Sequence, residues 1–273
     1  MQLCAGKGPV PTYSKLHCKE NMLMLKNDIE LLVGVHGISG QEQEVSYLVK
    51  DMLAPLVDEI EIDDMYNVIG RRYSKHSDTP RVMLNAHIDQ VGLVVTEIIE
   101  GGFVKAASYG ADSRTLLGLK MLIITKEGTI RCFGTAIPPH LQQEKDDEKS
   151  VEISDVYFDT GMPDDKLRML VRPGDPIVFD SKVKPLLNNR ITGAALDDRA
   201  GIACILDALR QIKDHVLPYE LYVLFSTMEE INHQGCLARM PIDRPDYIIT
   251  VDVCHGATID NTEYDRVHQL GCG

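Results

Sequence analysis

Two kinds of apolar pattern alternate along the chain. Apolar residues recur at helical spacing over residues 42–53 and 197–213, which predicts two amphipathic helices. Nearly continuous apolar runs at residues 81–86, 220–226 and 247–253 instead predict buried strands. Because strands that are apolar on both faces need helices on both sides, the alternation predicts an α/β fold with a mainly parallel or mixed sheet covered by helices.

The pattern changes between residues 92 and 188, where short β-type runs are separated by turns rich in glycine, proline and charge. The predicted strands cover residues 92–99, 120–124, 129–133 and 175–179. Short strands at this spacing predict a small β-barrel-like domain inserted into the α/β domain. The chain is thereby divided into a first α/β part at residues 21–91, a β-rich insertion at 92–188 and a second α/β part at 189–273.

Composition and charge narrow the class of protein. The chain has 273 residues and a formal net charge of −13, which argues against nucleic acid or an anionic membrane surface as a partner. No apolar run approaches the ~20 residues that span a membrane, and residues 1–20 lack a hydrophobic signal core. The seven cysteines are widely spaced without a C-x-x-C pair, which predicts free thiols. We therefore expect a cytoplasmic protein.

Acidic residues and one histidine occur at or near the predicted strand ends and at the start of the second predicted helix. They are His87, Asp89, Asp197, Glu229, Glu230 and Asp252. In open α/β sheets, ligands bind beyond the carboxyl ends of the strands, so we expect most of these side chains to meet at one edge. One imidazole with several carboxylates is the ligand set of a two-metal hydrolase.

Each acidic segment, taken alone, also has an ordinary structural interpretation. Taken alone, Asp89 is slightly better explained as a helix-capping or turn residue beside an incidental histidine, and two acids at 197–198 commonly cap a helix. The acid pair at 229–230 fits a solvated turn. Asp252 is the hardest to explain in this way, because an acid inside a buried apolar strand needs a partner.

Four motifs taken together resemble the M42 family of metalloaminopeptidases, the glutamyl, leucyl and lysyl aminopeptidases that form tetrahedral particles. The motifs are N-A-H-I-D-Q-V-G at 85–92, A-L-D-D-R-A-G at 195–201, E-E at 229–230 and V-D-V at 251–253. The segments I-P-P-H-L at 137–141 and R-P-G-D at 172–175 add to the likeness, which extends from about residue 26 to 270. Departures from the family pattern are Gln90 in place of glutamate and Ile231-Asn232 in place of Val-Gly.

The resemblance implies a zinc-peptidase-like α/β domain that holds two divalent ions, usually zinc or cobalt, with manganese as a further possibility. By motif, His87 and Asp252 bind the first ion, Asp197 bridges both ions and Glu230 binds the second. Glu229 is then the general base, and Asp89 orients His87. The family's last ligand is a histidine near its C-terminus, and the motif that contains it lies beyond Gly273.

The activity that the resemblance implies is removal of N-terminal residues from short peptides by a homo-oligomer. The β-rich insertion would form at least a dimer, and family members form dodecamers. Two alternatives remain open: another two-metal amide hydrolase, such as a deacylase or dipeptidase, and a catalytically impaired scaffold or interaction subunit. Without the last histidine we expect one tightly bound ion and slow cleavage, unless His255 or His268 replaces that ligand.

Overall fold

The computed structural model describes residues 15–138, 151–180 and 182–254, with side chains from residue 22 onward. The helices are α1 (Lys15–Val33), α2 (Gln43–Leu53), α3 (Asp164–Leu170), α4 (Leu196–Gln211) and α5 (Gln234–Asp243). The first seven strands are β1 (Glu59–Ile62), β2 (Val68–Arg72), β3 (Arg81–His87), β4 (Gly92–Ile99), β5 (Phe103–Tyr109), β6 (Lys120–Thr125) and β7 (Gly128–Thr135). The others are β8 (Tyr157–Asp159), β9 (Pro176–Phe179), β10 (Lys184–Leu186), β11 (Arg190–Thr192), β12 (Glu220–Ser226) and β13 (Tyr247–Thr250).

A five-stranded sheet in the order β1-β2-β12-β3-β13 forms the centre of the α/β part. Strand β3 pairs in parallel with β12 and β13, whereas β2 runs antiparallel to both β1 and β12. The mixed sheet confirms the predicted fold class. The parallel pairing also fixes where the strands end, because Ser226 of β12 lies opposite His87 of β3.

Helices cover both faces of this sheet, as its near-continuous apolar strands require. Val223 and Phe225 of β12 join a core cluster with residues of α1, α2 and α4. Tyr222 and Leu224, which point to the opposite face because side chains alternate along a strand, pack with residues of α5. Each fully buried aliphatic or aromatic side chain contributes about 1.5–3 kcal/mol, so this central strand stabilises both layers.

Strands β4 to β9 close into an antiparallel barrel with its own core. The four predicted strands are present, which confirms the inserted β-barrel-like domain. Strands β5 and β8 were not predicted, because β5 places Ala106 and Ala107 where strands favour β-branched or aromatic residues and β8 has only three residues. The first and last strands of the barrel are neighbours, with Leu93 opposite Ile177.

Strand β13 differs from its prediction as a buried strand over residues 247–253. It ends at Thr250, and Tyr247, Ile248 and Ile249 are all exposed. The reason is position, since β13 is an edge strand that pairs only with β3 among the residues that the structure describes. Asp252 therefore lies in an exposed segment beyond the strand, and the expectation that it is buried is wrong.

None of the described helices is both long and apolar enough to cross a lipid bilayer.

Candidate metal centre

The ends of β3 and β12 bring the predicted site residues together. His87 is the last residue of β3, and Glu229 and Glu230 follow β12 after a turn of two residues. Asp252 follows β13, which pairs with the other edge of β3 through Thr250 and Asn85. The start of α4 adds Asp197. Residues that are far apart in sequence thus meet at one edge of the sheet, where the strand pattern places them.

His87 is the common member of two groups of possible metal ligands. One group contains His87, Asp197 and Asp252, and the other contains His87, Glu229 and Glu230, with the ligand atoms of each group within 4.8 Å of one another. The His87 imidazole is almost fully buried, with Nε2 at 2.9 Å from Asp197 Oδ1 and 3.9 Å from Glu229 Oε2. Donors that share one zinc ion at about 2.1 Å lie roughly 3–4 Å apart, so small adjustments suffice for a common cation.

The electrostatics of the cluster fit a cation. Burial lowers the pKa of His87, but hydrogen bonds to Asp197 and Asp89 outweigh it and raise the pKa to about 11. Burial, together with the negative charge of Asp197 and of the neighbouring Asp89 and Glu229, raises the pKa of Glu230 to about 7. The neighbouring carboxylates contribute to both shifts, and a divalent ion at these donors would compensate their negative charge.

Asp89 connects His87 to the turn that follows β12. Its backbone oxygen lies 3.1 Å from His87 Nδ1, and its Oδ1 lies 3.3 Å from the same nitrogen. The fully buried carboxylate also accepts the hydroxyl of Ser39 at 2.6 Å and the backbone N–H groups of Glu229 at 2.9 Å and Glu230 at 3.2 Å. Burial opposes ionisation of Asp89, but the hydrogen bonds from His87, Ser39 and Glu229 hold its pKa below the usual value.

The two acids at the start of α4 face in different directions. Their backbones are not helical, with φ/ψ of −81°/108° at Asp197 and −116°/36° at Asp198. The Asp197 side chain is 56% exposed and reaches His87. Asp198 is buried, and its Oδ1 accepts the N–H of Gly201 in the first turn of α4. Burial raises the pKa of Asp198 to about 7. Asp198 thus binds the first turn of α4, as a residue at a helix start does, and also interacts with the backbone N–H of His87, whereas the Asp197 side chain joins the cluster.

Sequence reasoning missed three residues that contact this site. The Ser39 hydroxyl donates to Asp89 Oδ2 at 2.6 Å. His233 places Nδ1 at 2.7 Å from Glu229 Oε1, and the i, i+4 spacing of these two residues is a signal in the sequence. Glu42 precedes α2 and accepts the N–H of Met228 at 3.0 Å, a contact for which the sequence offers no signal.

Close backbone approaches shape the walls of the site. A Cβ atom at Gly235 would lie 2.4 Å from the Thr227 carbonyl oxygen, so only glycine lets α5 begin so near the end of β12. In the barrel, a Cβ at Gly110 would lie 3.3 Å from Glu230 Oε2. The rim of the barrel thus borders the carboxylate cluster.

A zinc-peptidase-like α/β domain with a barrel insertion, and a histidine–carboxylate cluster at the sheet edge, together define a metallohydrolase-like architecture. The family model described as M42 glutamyl aminopeptidase matches residues 67–273. The chain belongs to this family.

Several relatives show how far the likeness extends. A lysyl aminopeptidase of Pyrococcus furiosus is 31% identical over 243 residues, which cover 87% of this chain and 68% of that protein. The structure of an aminopeptidase from the archaeon Desulfurococcus kamchatkensis has a TM-score of 0.85 and 28% identity, and the match covers 92% of this chain and 69% of that one. A Pyrococcus horikoshii TET1 peptidase, described as able to assemble into a tetrahedron or a large octahedral shell, has a TM-score of 0.74 and 25% identity over 87% of this chain and 72% of that one.

The chain spans about two thirds of the length of the curated relatives that it matches, 64% of one and 68% of another. His255 and His268, the two histidines that were considered as replacement ligands, lie outside the residues that the structure describes.

Proposed function

We propose that the chain acts as a metal-dependent aminopeptidase that removes N-terminal residues from short peptides. The observation on which this rests is the cluster around His87, in which a buried imidazole meets carboxylates from three other parts of the chain. Family membership supports peptide hydrolysis as the reaction.

In this proposal His87, Asp197 and Asp252 hold one divalent ion, and Asp197 and Glu230 hold a second. The ions would be zinc or cobalt, with manganese as a further possibility. When bound, they supply positive charge that polarises the scissile carbonyl and makes water more acidic. The first ligand set coincides with one of the two close groups in the structure, which supports its assignment.

Glu229 is the proposed general base. Its Oε2 faces the cluster and its Oε1 is paired with His233, so one oxygen is directed towards the reaction and the other is occupied. From this position Glu229 accepts a proton from the attacking water and then gives it to the leaving amine. Asp89 orients His87 and, through the backbone N–H groups of residues 229 and 230, both glutamates as well.

Elemental analysis and substrate choice test this function. Protein purified without chelator should contain zinc, cobalt or manganese, and His87→Ala and Asp197→Ala should each lower the content. An aminoacyl chromogenic amide should be cleaved, whereas an N-acyl amino acid should not. Cleavage of the acylated substrate alone would favour a deacylase. Stoichiometric metal without turnover would favour a scaffold or interaction subunit.

We further propose that the barrel mediates self-association into at least a dimer, with larger assemblies such as the dodecamers of the family. Leu117, Leu119 and Phe133 are exposed large apolar residues on neighbouring parts of the barrel, which favours a contact surface there. The P. horikoshii relative, which assembles into closed shells, supports this. Light scattering should give at least a dimer at micromolar concentration, and Phe133→Lys should lower the mass; a strict monomer would contradict the proposal.

A further inference from the structure

Two buried carboxylates hold three consecutive backbone N–H groups at residues 228–230. Glu42 Oε1 accepts the N–H of Met228 at 3.0 Å, and Asp89 accepts the next two, as described above. Glu42 is 2% exposed, and glutamates are rarely buried unless their side chains are paired. Glu42 and Asp89 together thus accept all three N–H groups of the turn that carries Glu229 and Glu230.

Met228 has a rarer backbone conformation than its neighbours, so it depends more on a hydrogen-bond acceptor for its N–H. Its φ of 52° lies in the left-handed region, which residues with a side chain seldom adopt. The preceding residue, Thr227, is fixed separately, because its N–H donates to Asn67 Oδ1 at 2.9 Å. Glu42 accepts the N–H of Met228, the residue at which the chain turns from the end of β12 towards the site.

A buried cation accompanies the two carboxylates. The Arg199 guanidinium is fully enclosed and lies within electrostatic range of both Asp89 and Glu42. Its Nη1 donates to the carbonyl oxygens of Leu32 at 2.7 Å and Val35 at 3.2 Å, which anchors it at the end of α1. Nε and Nη2 donate no hydrogen bond to any of the described residues, so Arg199 acts on the carboxylates through its charge. This countercharge offsets the cost of burial only in part, because burial, together with the negative charge of Asp89, raises the pKa of Glu42 to about 7.

We propose that Glu42 is a positioning residue, which through the Met228 N–H fixes the turn that presents Glu229 and Glu230 to the metal cluster. This inference deepens the proposed function and rests on it for the roles of the two glutamates. An alternative role for Glu42 is purely local, as the residue that begins α2, where its own backbone carbonyl accepts the N–H of Ser46.

Amide hydrogen exchange on the metal-free full chain separates the two roles without any requirement for metal or turnover. Glu42→Asp keeps the carboxyl group but is one methylene too short to reach Met228, and Glu42→Ala removes the acceptor. In both variants we expect the amides of residues 228–230 to exchange at least about tenfold faster, while those of β12 keep their parental rates. Glu42→Gln retains one acceptor oxygen and should preserve part of the protection. Glu44→Gln, at an exposed residue in the first turn of α2, is the matched control and should change nothing.

Metal affinity provides the second readout, by competition with a chromophoric chelator and from the absorption spectrum of the cobalt-loaded chain. Glu42→Asp should weaken binding about 10–100-fold, as the loss of a group that orients a ligand does, and should alter the cobalt spectrum. Parental exchange at 228–230 in Glu42→Asp, or equal protection in the Asp and Gln variants, would overturn the proposal. Faster exchange at residues 228–230 in the Glu42 variants, combined with a parental chain that binds no metal, would uphold the positioning of the turn and refute the metal-dependent function instead. If Glu42→Ala does not fold, the Asp and Gln pair decides the question.

Discussion

The two sides of the metal cluster differ in how the protein holds them. On one side the buried His87 and Asp89 and the half-buried turn of residues 228–230 are joined by hydrogen bonds. On the other side Asp197 and Asp252 are exposed, and Asp197 has His87 as its hydrogen-bonding partner. The buried side is pre-organised, so its contacts stabilise the fold and the site together. The exposed side contributes charge but little stability, and a cation is what would order it.

The largest expected effect is on the proposed chemistry of the buried side. Glu229→Gln preserves shape and the backbone hydrogen bond to Asp89 but removes the basic oxygen. In protein that cleaves an aminoacyl amide, the rate should fall about 10²–10⁴-fold at unchanged metal content. Steady-state kinetics with elemental analysis measures both quantities. A near-normal rate would assign water activation to another group.

The next largest effect is on stability, and it tests whether the buried side of the cluster contributes more to the free energy of unfolding than the exposed side. Asp89→Ala leaves the N–H groups of Glu229 and Glu230 and the Ser39 hydroxyl without their acceptor, and each buried unsatisfied group costs about 1–3 kcal/mol. We expect the free energy of unfolding to fall by at least about 3 kcal/mol in urea denaturation of the metal-free chain.

Asp252→Ala is the matched control for that measurement, because its carboxylate lies on the exposed side. It should change the free energy of unfolding by less than about 0.5 kcal/mol. Equal losses in the two variants would contradict the division of the cluster into a pre-organised side and an exposed side.

A smaller effect concerns pH. The raised pKa of His87, about 11 in the metal-free fold against about 6.5 unfolded, means that the folded state binds the extra proton. The stability from this proton is complete below pH 6.5 and is lost as pH rises towards 11, by at most about 1.4 kcal/mol per pH unit. The pKa of Glu230 is also raised, so the stability that its proton contributes likewise decreases as pH rises from the unfolded pKa to about 7.

Thermal unfolding of the metal-free chain should therefore show stability that decreases from pH 6 to pH 9. His87→Gln should flatten that slope above pH 7, and bound zinc should also reduce it, because a ligand nitrogen cannot keep the proton. A slope that is the same in the parental chain and in His87→Gln would show that His87 is not the group that titrates.

The smallest expected effect concerns the partner of Glu229, and it compares the loss of that partner with the loss of the base itself. His233 is 66% exposed, and exposed ion pairs contribute about 0–1 kcal/mol. His233→Ala should lower the rate of an active preparation less than tenfold, far less than Glu229→Gln. A loss as large as that of Glu229→Gln would show that this exposed partner is as important as the base itself.

The sequence was informative where a signal is local. The apolar runs predicted β3 and β12 because both strands are buried by helices on two faces, and four of the six barrel strands followed from short β-type runs between turns. Burial of Asp252 was predicted wrongly, because an apolar run does not reveal whether its strand lies at an edge. The contacts of Asp89 with residues 140 and 141 positions away, and of Glu42 with Met228, arise only from strand order.

The pairing of Leu93 with Ile177 has a consequence for how the chain folds. The barrel begins five residues after His87, and its first and last strands lie side by side, so the chain leaves the sheet and returns at nearly the same point. Once the barrel has formed, the connection from β3 to α4 is shorter by ~90 residues of free chain, and the entropy of closure grows with loop length. The insertion can thus vary in size and surface at little thermodynamic cost to the sheet beneath it.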